Sequence, residues 1–186
     1  SFVVAVPLGL LIGRYEILDM LTDWSIQIFR SVPPISLIPL AILLLGIGDK
    51  PAISLIFLSG LWPLLINTIF GVRGIERTLI KVARAARAGE FLVMKDIVLP
   101  AALPAIFTGL RLAVGAGWLT VVTAEMLAVK SGLGYMILNG QLTFRSDLII
   151  AGIIVIGGIG LLADQLVRLV RARVCRWQEG LTASPI

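Results

Sequence analysis

Two stretches of this chain, Ser31 to Gly48 and Pro51 to Val72, carry no charged residue, and only Asp49-Lys50 separates them. A third run, Ile97 to Leu127, is interrupted only by Arg111 and Glu125, and a fourth, Leu148 to Val167, holds only Asp164. A helix of about 20 apolar residues crosses a bilayer core. With 58% hydrophobic and 15% charged residues, a chain of 186 residues cannot hide its apolar surface in a water-soluble globule. Lipid removes that difficulty, and it demands helices or closed barrels. Runs of this length predict an all-α integral membrane protein.

Ser1 to Gly13 is apolar but too short to cross. We read it as the second half of a helix whose start is missing from this sequence, which brings the count to five spans. The opening Ser1-Phe2-Val3-Val4 has no basic flank and does not read as a signal peptide. We expect one membrane domain over 1–186, with one long polar loop, 73–100, inside it. No room remains for a fused ATPase or a receptor domain.

The net charge of +5 would suggest nucleic acid in a soluble chain. Here the cations sit between apolar runs. Arg14, Arg73, Arg77, Lys81, Arg84, Arg87, Lys95, Arg168, Arg171, Arg173 and Arg176 fall on one side when crossings are counted; Lys50, Lys130 and Arg145 fall on the other. The positive-inside rule then puts the 73–100 loop and the C-terminal tail in the cytoplasm, and the start of the chain outside. One Cys and no His leave no imidazole for a metal, a base or a pH switch, and Cys175 alone makes no zinc site. No catalytic or metal-binding residues are expected.

Between Arg14 and Arg30, Glu16, Asp19 and Asp23 alternate with Ile17, Leu18, Met20, Leu21, Trp24 and Ile28, the pattern of an amphipathic helix that lies in the interface or packs. Ala5, Gly9 and Gly13 form a small-residue stripe, and Ala113 and Gly117 another; close internal packing is the plainer reading of both. In the long loop, Ile75 to Ala88 is rich in helix formers, with Arg77, Lys81 and Arg84 on one face and Leu79, Val82, Ala83 and Ala86 giving an apolar, small-residue surface. Gly89 is placed to stop that helix, Glu90 to Val98 can form a second, and Pro100 should end it. Two short helices hinged at a glycine suit a groove on a partner. They equally suit an anionic lipid surface.

Val82-Ala83-Arg84, Ile97-Val98-Leu99-Pro100, Ala101-Ala102-Leu103-Pro104 and Gly109-Leu110-Arg111 resemble the EAA loop of binding-protein-dependent ABC importer permeases. Aligned on Ile97 and Pro100, the family's Glu falls at Lys81, its two Ala at Val82 and Ala83, and its Gly at Arg87. Ser31-Val32-Pro33-Pro34, Leu37-Ile38-Pro39-Leu40, Trp62-Pro63 with Asn67-Thr68, Gly71-Val72-Arg73, Trp118 with Thr123 to Leu127, and Ser131 to Tyr135 are similar to the nitrate, sulfonate, taurine and bicarbonate branch. The likeness covers nearly the whole chain.

That resemblance implies a type I importer permease bundle. It implies a second permease copy, two cytoplasmic ATPase subunits, an extracytoplasmic substrate-binding protein, and a bacterial inner-membrane location. This chain has no G-x-x-x-x-G-K-[ST] phosphate loop, so ATP and Mg would be held by the ATPase subunits and no cofactor by this one. The cargo would be a small anion such as nitrate, bicarbonate or an alkanesulfonate. The ATPase-coupling segment would comprise Lys81, Ala83, Arg84, Ala86, Arg87, Ala88, Gly89, Glu90 and Met94. Lys81 reverses the charge of the family's Glu, so either the partner differs or Glu76 or Glu90 takes over.

The pathway candidates are Asn67, Thr68, Arg111, Trp118, Thr120, Thr123 and Glu125. Most have a plainer reading. Asn67 and Thr68 would hydrogen-bond between helices. Trp118 would pack, and Arg111 would either snorkel or attract an anion. Glu125 would pair with Lys130 or cap the following loop, since a bare carboxylate repels an anion. Asp164 would pair with Arg168, one turn away. Gly132 to Tyr135 should turn into a short helix whose backbone N–H groups could take an oxyanion. The rival functions are a channel or ion-coupled transporter acting alone, and a non-transporting membrane scaffold.

Overall fold

A computed structural model describes residues 1–46, 48–85, 87, 89–127 and 131–176, with the side chains of Arg77 and Arg84 left aside. The described residues are helical nearly throughout and contain no strand. In chain order the helices are α1 (Phe2–Arg14), α2 (Glu16–Ser31), α3 (Ile38–Leu45), α4 (Asp49–Arg73), α5 (Arg77–Ala85), α6 (Glu90–Val93), α7 (Leu99–Leu127), α8 (Leu133–Leu142) and α9 (Ser146–Val174). A 3-10 turn, Pro34–Leu37, leads into α3, and a π turn, Met94–Val98, joins α6 to α7.

Three helices are long and apolar enough to cross a membrane: Asp49–Arg73, Glu90–Leu127 and Ser146–Val174. In two of them helix polarity matches the end charges. Asp49 opens α4 and Arg73 closes it; Asp147 opens α9, and Arg171 and Arg173 close it. The bent pair of α2 and Pro34–Leu45, with 74° between the two arms, is long and apolar enough only when its two arms are taken together, and α1 is a shorter apolar helix.

The span expected over Ser31 to Gly48 is therefore not one straight helix. Pro33 and Pro34 remove two backbone donors in succession, so the chain leaves α2 at Val32 in extended geometry and re-enters through the 3-10 turn. The expectation at Pro100 is also corrected. Pro100 does not end a helix; it is the second residue of α7. The N–H of Leu99 reaches back to the Met94 carbonyl in the π turn, and that change of register falls where a proline has no N–H to give.

α4 is the centre of the bundle. α1 runs parallel to it, with Gly9 against Thr68 and Leu65, and Gly13 against Val72 and Ile69. α7 runs antiparallel, with Gly71 against Ala102 and Ala105, Gly109 against Leu64 and Asn67, and Ala113 against Gly60. The stripe Ala5, Gly9 and Gly13 is internal packing, and so is Ala113. Lipid tails provide no hydrophobic drive between helices, so association depends on such close approach. The resulting core includes Ala5, Leu64, Leu65, Ile69, Val98, Ala102 and Ile106. α9 lies against α7 and α8, and its apolar side chains are largely exposed.

Candidate functional site: the basic end and the polar groups within the bundle

α1, α4 and α9 all finish at one end of the bundle, with Arg14, Arg73, Arg171 and Arg173 in their last turns. The segment between α4 and α7 caps this basic end. α5 is amphipathic. Its Leu79 and Val82 are exposed, at 50% and 64%, whereas Ala83 turns inward and is buried in the core. Arg87 then adopts φ +56°, the left-handed region favoured by glycine, and Gly89 leads into α6 in extended geometry. Phe91 stands 81% exposed, while Met94 packs against the core. The helix anticipated through Ala88 is described over Arg77–Ala85 and does not continue through Arg87. Ala86 and Ala88 lie outside the described residues, as does the side chain of Arg84.

Two ion pairs tie this end together. Arg14 Nη2 donates to both carboxylate oxygens of Glu90, at 3.0 and 3.3 Å, joining α1 to α6. Arg73 pairs with Asp19, joining α4 to α2. Both partners were too distant in sequence for spacing to reveal. Between the helix ends lies a polar cavity of about 560 Å³, lined by Arg14, Glu16, Asp19, Arg73 and Lys81.

The polar groups within the spans are mostly engaged by the protein itself. Thr68, fully buried, donates to the Leu64 carbonyl at 2.7 Å, and Asn67 Nδ2 donates to the Pro63 carbonyl at 2.8 Å. These bonds stay within α4, so the interhelical bonding expected of the pair is not what forms. Thr120 and Thr123 likewise bond back to Ala116 and Leu119. A hydroxyl one turn from a carbonyl reaches it without a second helix. Trp118 Nε1–H donates to the Ile156 carbonyl at 3.2 Å and its ring lies over Gly160, so it packs α7 on α9.

Arg111 forms a two-pronged pair with Asp164, with Nη2 at 3.0 Å from Oδ2. Asp164 also takes the anticipated bond from Arg168, at 2.9 Å. Glu125 accepts the Gly134 N–H at 2.8 Å. A Cβ on Gly132, whose φ is +110°, would fall 2.4 Å from the Glu125 carboxyl carbon. The turn into α8 forms as expected, but the N–H open to an oxyanion at Gly134 is taken by this carboxylate. Lys130, the other suggested partner, lies outside the described residues. No group of three or more His, Cys, Asp or Glu able to hold a metal ion occurs among the described residues.

Residues 5–176 match the family described as the binding-protein-dependent transport system inner membrane component. The chain is 39% identical over 176 residues to a probable ABC transporter permease protein of Brucella abortus, covering 95% of this chain and 70% of that protein. It is 36% identical over 176 residues to the bicarbonate transport system permease protein CmpB of Synechococcus elongatus, covering 94% and 63%. It is 34% identical over 172 residues to the taurine transport system permease protein TauC of Escherichia coli, covering 92% and 62%. Against the last two the chain spans less than two thirds of the relative's length. Five apolar helical elements around a glycine-lined centre, bridged by a basic two-helix segment, are thus those of an ABC transporter permease, and the chain belongs to the binding-protein-dependent transport system inner membrane component family.

Proposed function

We propose that this chain is the membrane-spanning subunit of an ATP-driven importer of a small anion, of the bicarbonate, nitrate or alkanesulfonate class. The observation that carries the reading is the α5–α6 segment. It exposes Leu79, Val82 and Phe91 beside Lys81 and Arg87, at the basic end and between two spans. Apolar side chains interleaved with cations suit a protein groove with an acidic rim. The relatives named for bicarbonate and taurine support an anion as cargo.

In this reading the basic end faces the cytoplasm of a bacterial cell and α5–α6 docks on an ATPase subunit, which holds ATP and Mg. This chain binds neither and catalyses nothing. Two copies enclose the pathway, lipid surrounds α9, and an external binding protein delivers the anion. Closure of the ATPase pair would push α5–α6. The Arg14–Glu90 and Arg73–Asp19 pairs would pass that push to α1, α2 and α4 as a rigid-body rotation. Asn67, Thr68, Thr120, Thr123, Trp118 and Glu125 then serve packing and capping, and Arg111 is held by Asp164.

Vesicle uptake tests the assignment. Purified complex in vesicles should accumulate labelled bicarbonate, nitrate or taurine only with both ATP and the binding protein. Uptake down a gradient without ATP would identify an autonomous channel or carrier, and absence of uptake of all three would contradict the anion importer.

A further inference from the structure

Arg30, in the last turn of α2, and Arg111, within α7, both lie part-way along the height of the bundle. Their depth follows from contacts with α4. Asp19 pairs with Arg73 at the basic end, and ten residues further on Phe29 stacks on Trp62, with ring centroids 6.2 Å apart and planes 3° apart. Trp62 is eleven residues up α4 from Arg73. At 1.5 Å per residue these contacts are separated by about 15 Å on α2 and about 16 Å on α4. Two contacts at matching separations make α2 an arm rising alongside α4. A helix lying flat across the end of α4 would touch it at one level.

Arg30 therefore stands about half-way across a hydrocarbon core about 30 Å thick. Arg111 lies at the same level, because Gly109 and Ala113 flank it on α7 and face Leu64 and Gly60 on α4. Arg111 is neutralised by Asp164. Arg30 is exposed and has no ion-pair partner among the described residues.

The sequence of α2 supplies Arg30 with a setting. Glu16, Asp19, Asp23, Gln27 and Arg30 follow one another at intervals of three and four and share one face. Gln27 Nε2 donates to Asp23 Oδ2 at 3.0 Å within that column. Ile17, Leu21, Trp24 and Ile28 occupy a separate arc and are 59–78% exposed. Lipid can cover the second arc but not the first, since a charge at mid-membrane demands water or a counter-charge.

Building on the importer reading, we propose that the polar column of α2 walls the water-filled inner half of the pathway, and that Arg30 is its anion-contacting residue. The cargo it would take is a small oxyanion: a carboxylate, sulfonate, nitrate or bicarbonate. Asp23 and Glu16, nearer the basic end, keep such an anion from being held on its way out, since a pathway site must release as well as bind.

Two measurements on the full chain in vesicles, in a Cys175→Ser background, test this. Spin labels at cysteines replacing Ile17, Leu21, Trp24 and Ile28 should report increasing depth, spanning about 16 Å; equal depth at all four would overturn the proposal by laying α2 on the surface. A cysteine replacing Gln27 should react about tenfold faster with an anionic than with a cationic methanethiosulfonate, relative to a free thiol, because Arg30 concentrates anions. Arg30→Gln should abolish that preference and Arg30→Lys should keep it. A preference that survives Arg30→Gln, or is absent in the parent, would overturn the proposal. Neither readout needs an ATPase, so failure here is distinct from failure of the importer reading.

Discussion

Arg111 and Asp164, 53 residues apart, clasp α7 to α9 through two hydrogen bonds within the membrane-spanning part of the bundle, and Arg168 holds the same carboxylate from one turn further along α9. Buried contacts contribute little to holding α9, most of whose apolar side chains face outward. The clasp and the Trp118–Ile156 bond are the polar ties between these two helices. Removing one partner of a charge pair in lipid leaves the other uncompensated. Asp164→Asn should lower the thermal midpoint in detergent more than Arg111→Gln, because it orphans two arginines. The double variant should lose less than the sum of the two singles. Strict additivity in calorimetry or tryptophan fluorescence melts would show that the pair is not energetically coupled.

Glu125 should behave as a cap. Glu125→Ala removes the acceptor of the Gly134 N–H and should cost about 1.5–3 kcal/mol. Glu125→Gln keeps an acceptor oxygen and should cost less. Uptake by the Gln variant should be close to the parent's; its loss would return Glu125 to the pathway.

The seam between α4 and α7 should not accept a methyl group. A Cβ at Gly109 would lie 2.8 Å from Asn67 Cβ and 3.1 Å from Leu64 Cα, neither of which is the end of a flexible side chain. Gly109→Ala should therefore destabilise the bundle by about 1–3 kcal/mol, as overpacking does. Gly115, with open space around it, is the control that should tolerate Ala. Denaturation in mixed micelles would compare them, and equal tolerance would contradict the close approach.

Arg87→Gly should stabilise the α5–α6 segment by about 1 kcal/mol, because Arg87 is held at φ +56°. Arg87→Ala gives no such relief. Slower amide exchange over 77–93 in the Gly variant alone would bear this out. An equal gain with Ala would assign the effect to the lost charge.

Cys175, just past α9, is 4% exposed, and its burial pushes the thiol pKa above its ordinary value, with Arg171 opposing in part. The folded state therefore favours the protonated thiol. That contribution to stability is complete below the ordinary thiol pKa and is lost as pH rises through the raised value. Alkylation at pH 7 should be far slower in the folded chain than in denaturant, and should accelerate as pH rises above 9. Equal rates in both states would contradict the burial.

Local features were legible in the sequence. The small-residue stripe of α1, the turn from Gly132 into α8, the Asp164–Arg168 pair and the long spans each depend on residues a few positions apart, where helical period and turn chemistry decide. What was hidden depends on which helices become neighbours. No spacing rule links Arg14 to Glu90 or Arg111 to Asp164, because those pairs exist only once α1, α6, α7 and α9 have packed. Asn67 and Thr68 read as groups seeking another helix, whereas a carbonyl one turn below each was nearer. The charge pattern of α2 was plain but left open whether the helix lies in the interface or packs; the Phe29–Trp62 stack, which joins it to α4, was not legible from spacing.

The most direct test of the central claim is the composition of the complex purified through a tag on this chain from mild detergent, read by native mass spectrometry. The account predicts two copies of the permease with two ATPase subunits, and loss of the ATPase subunits when Leu79 and Val82 are both replaced by Asp. A stable assembly that contains no ATPase would contradict it.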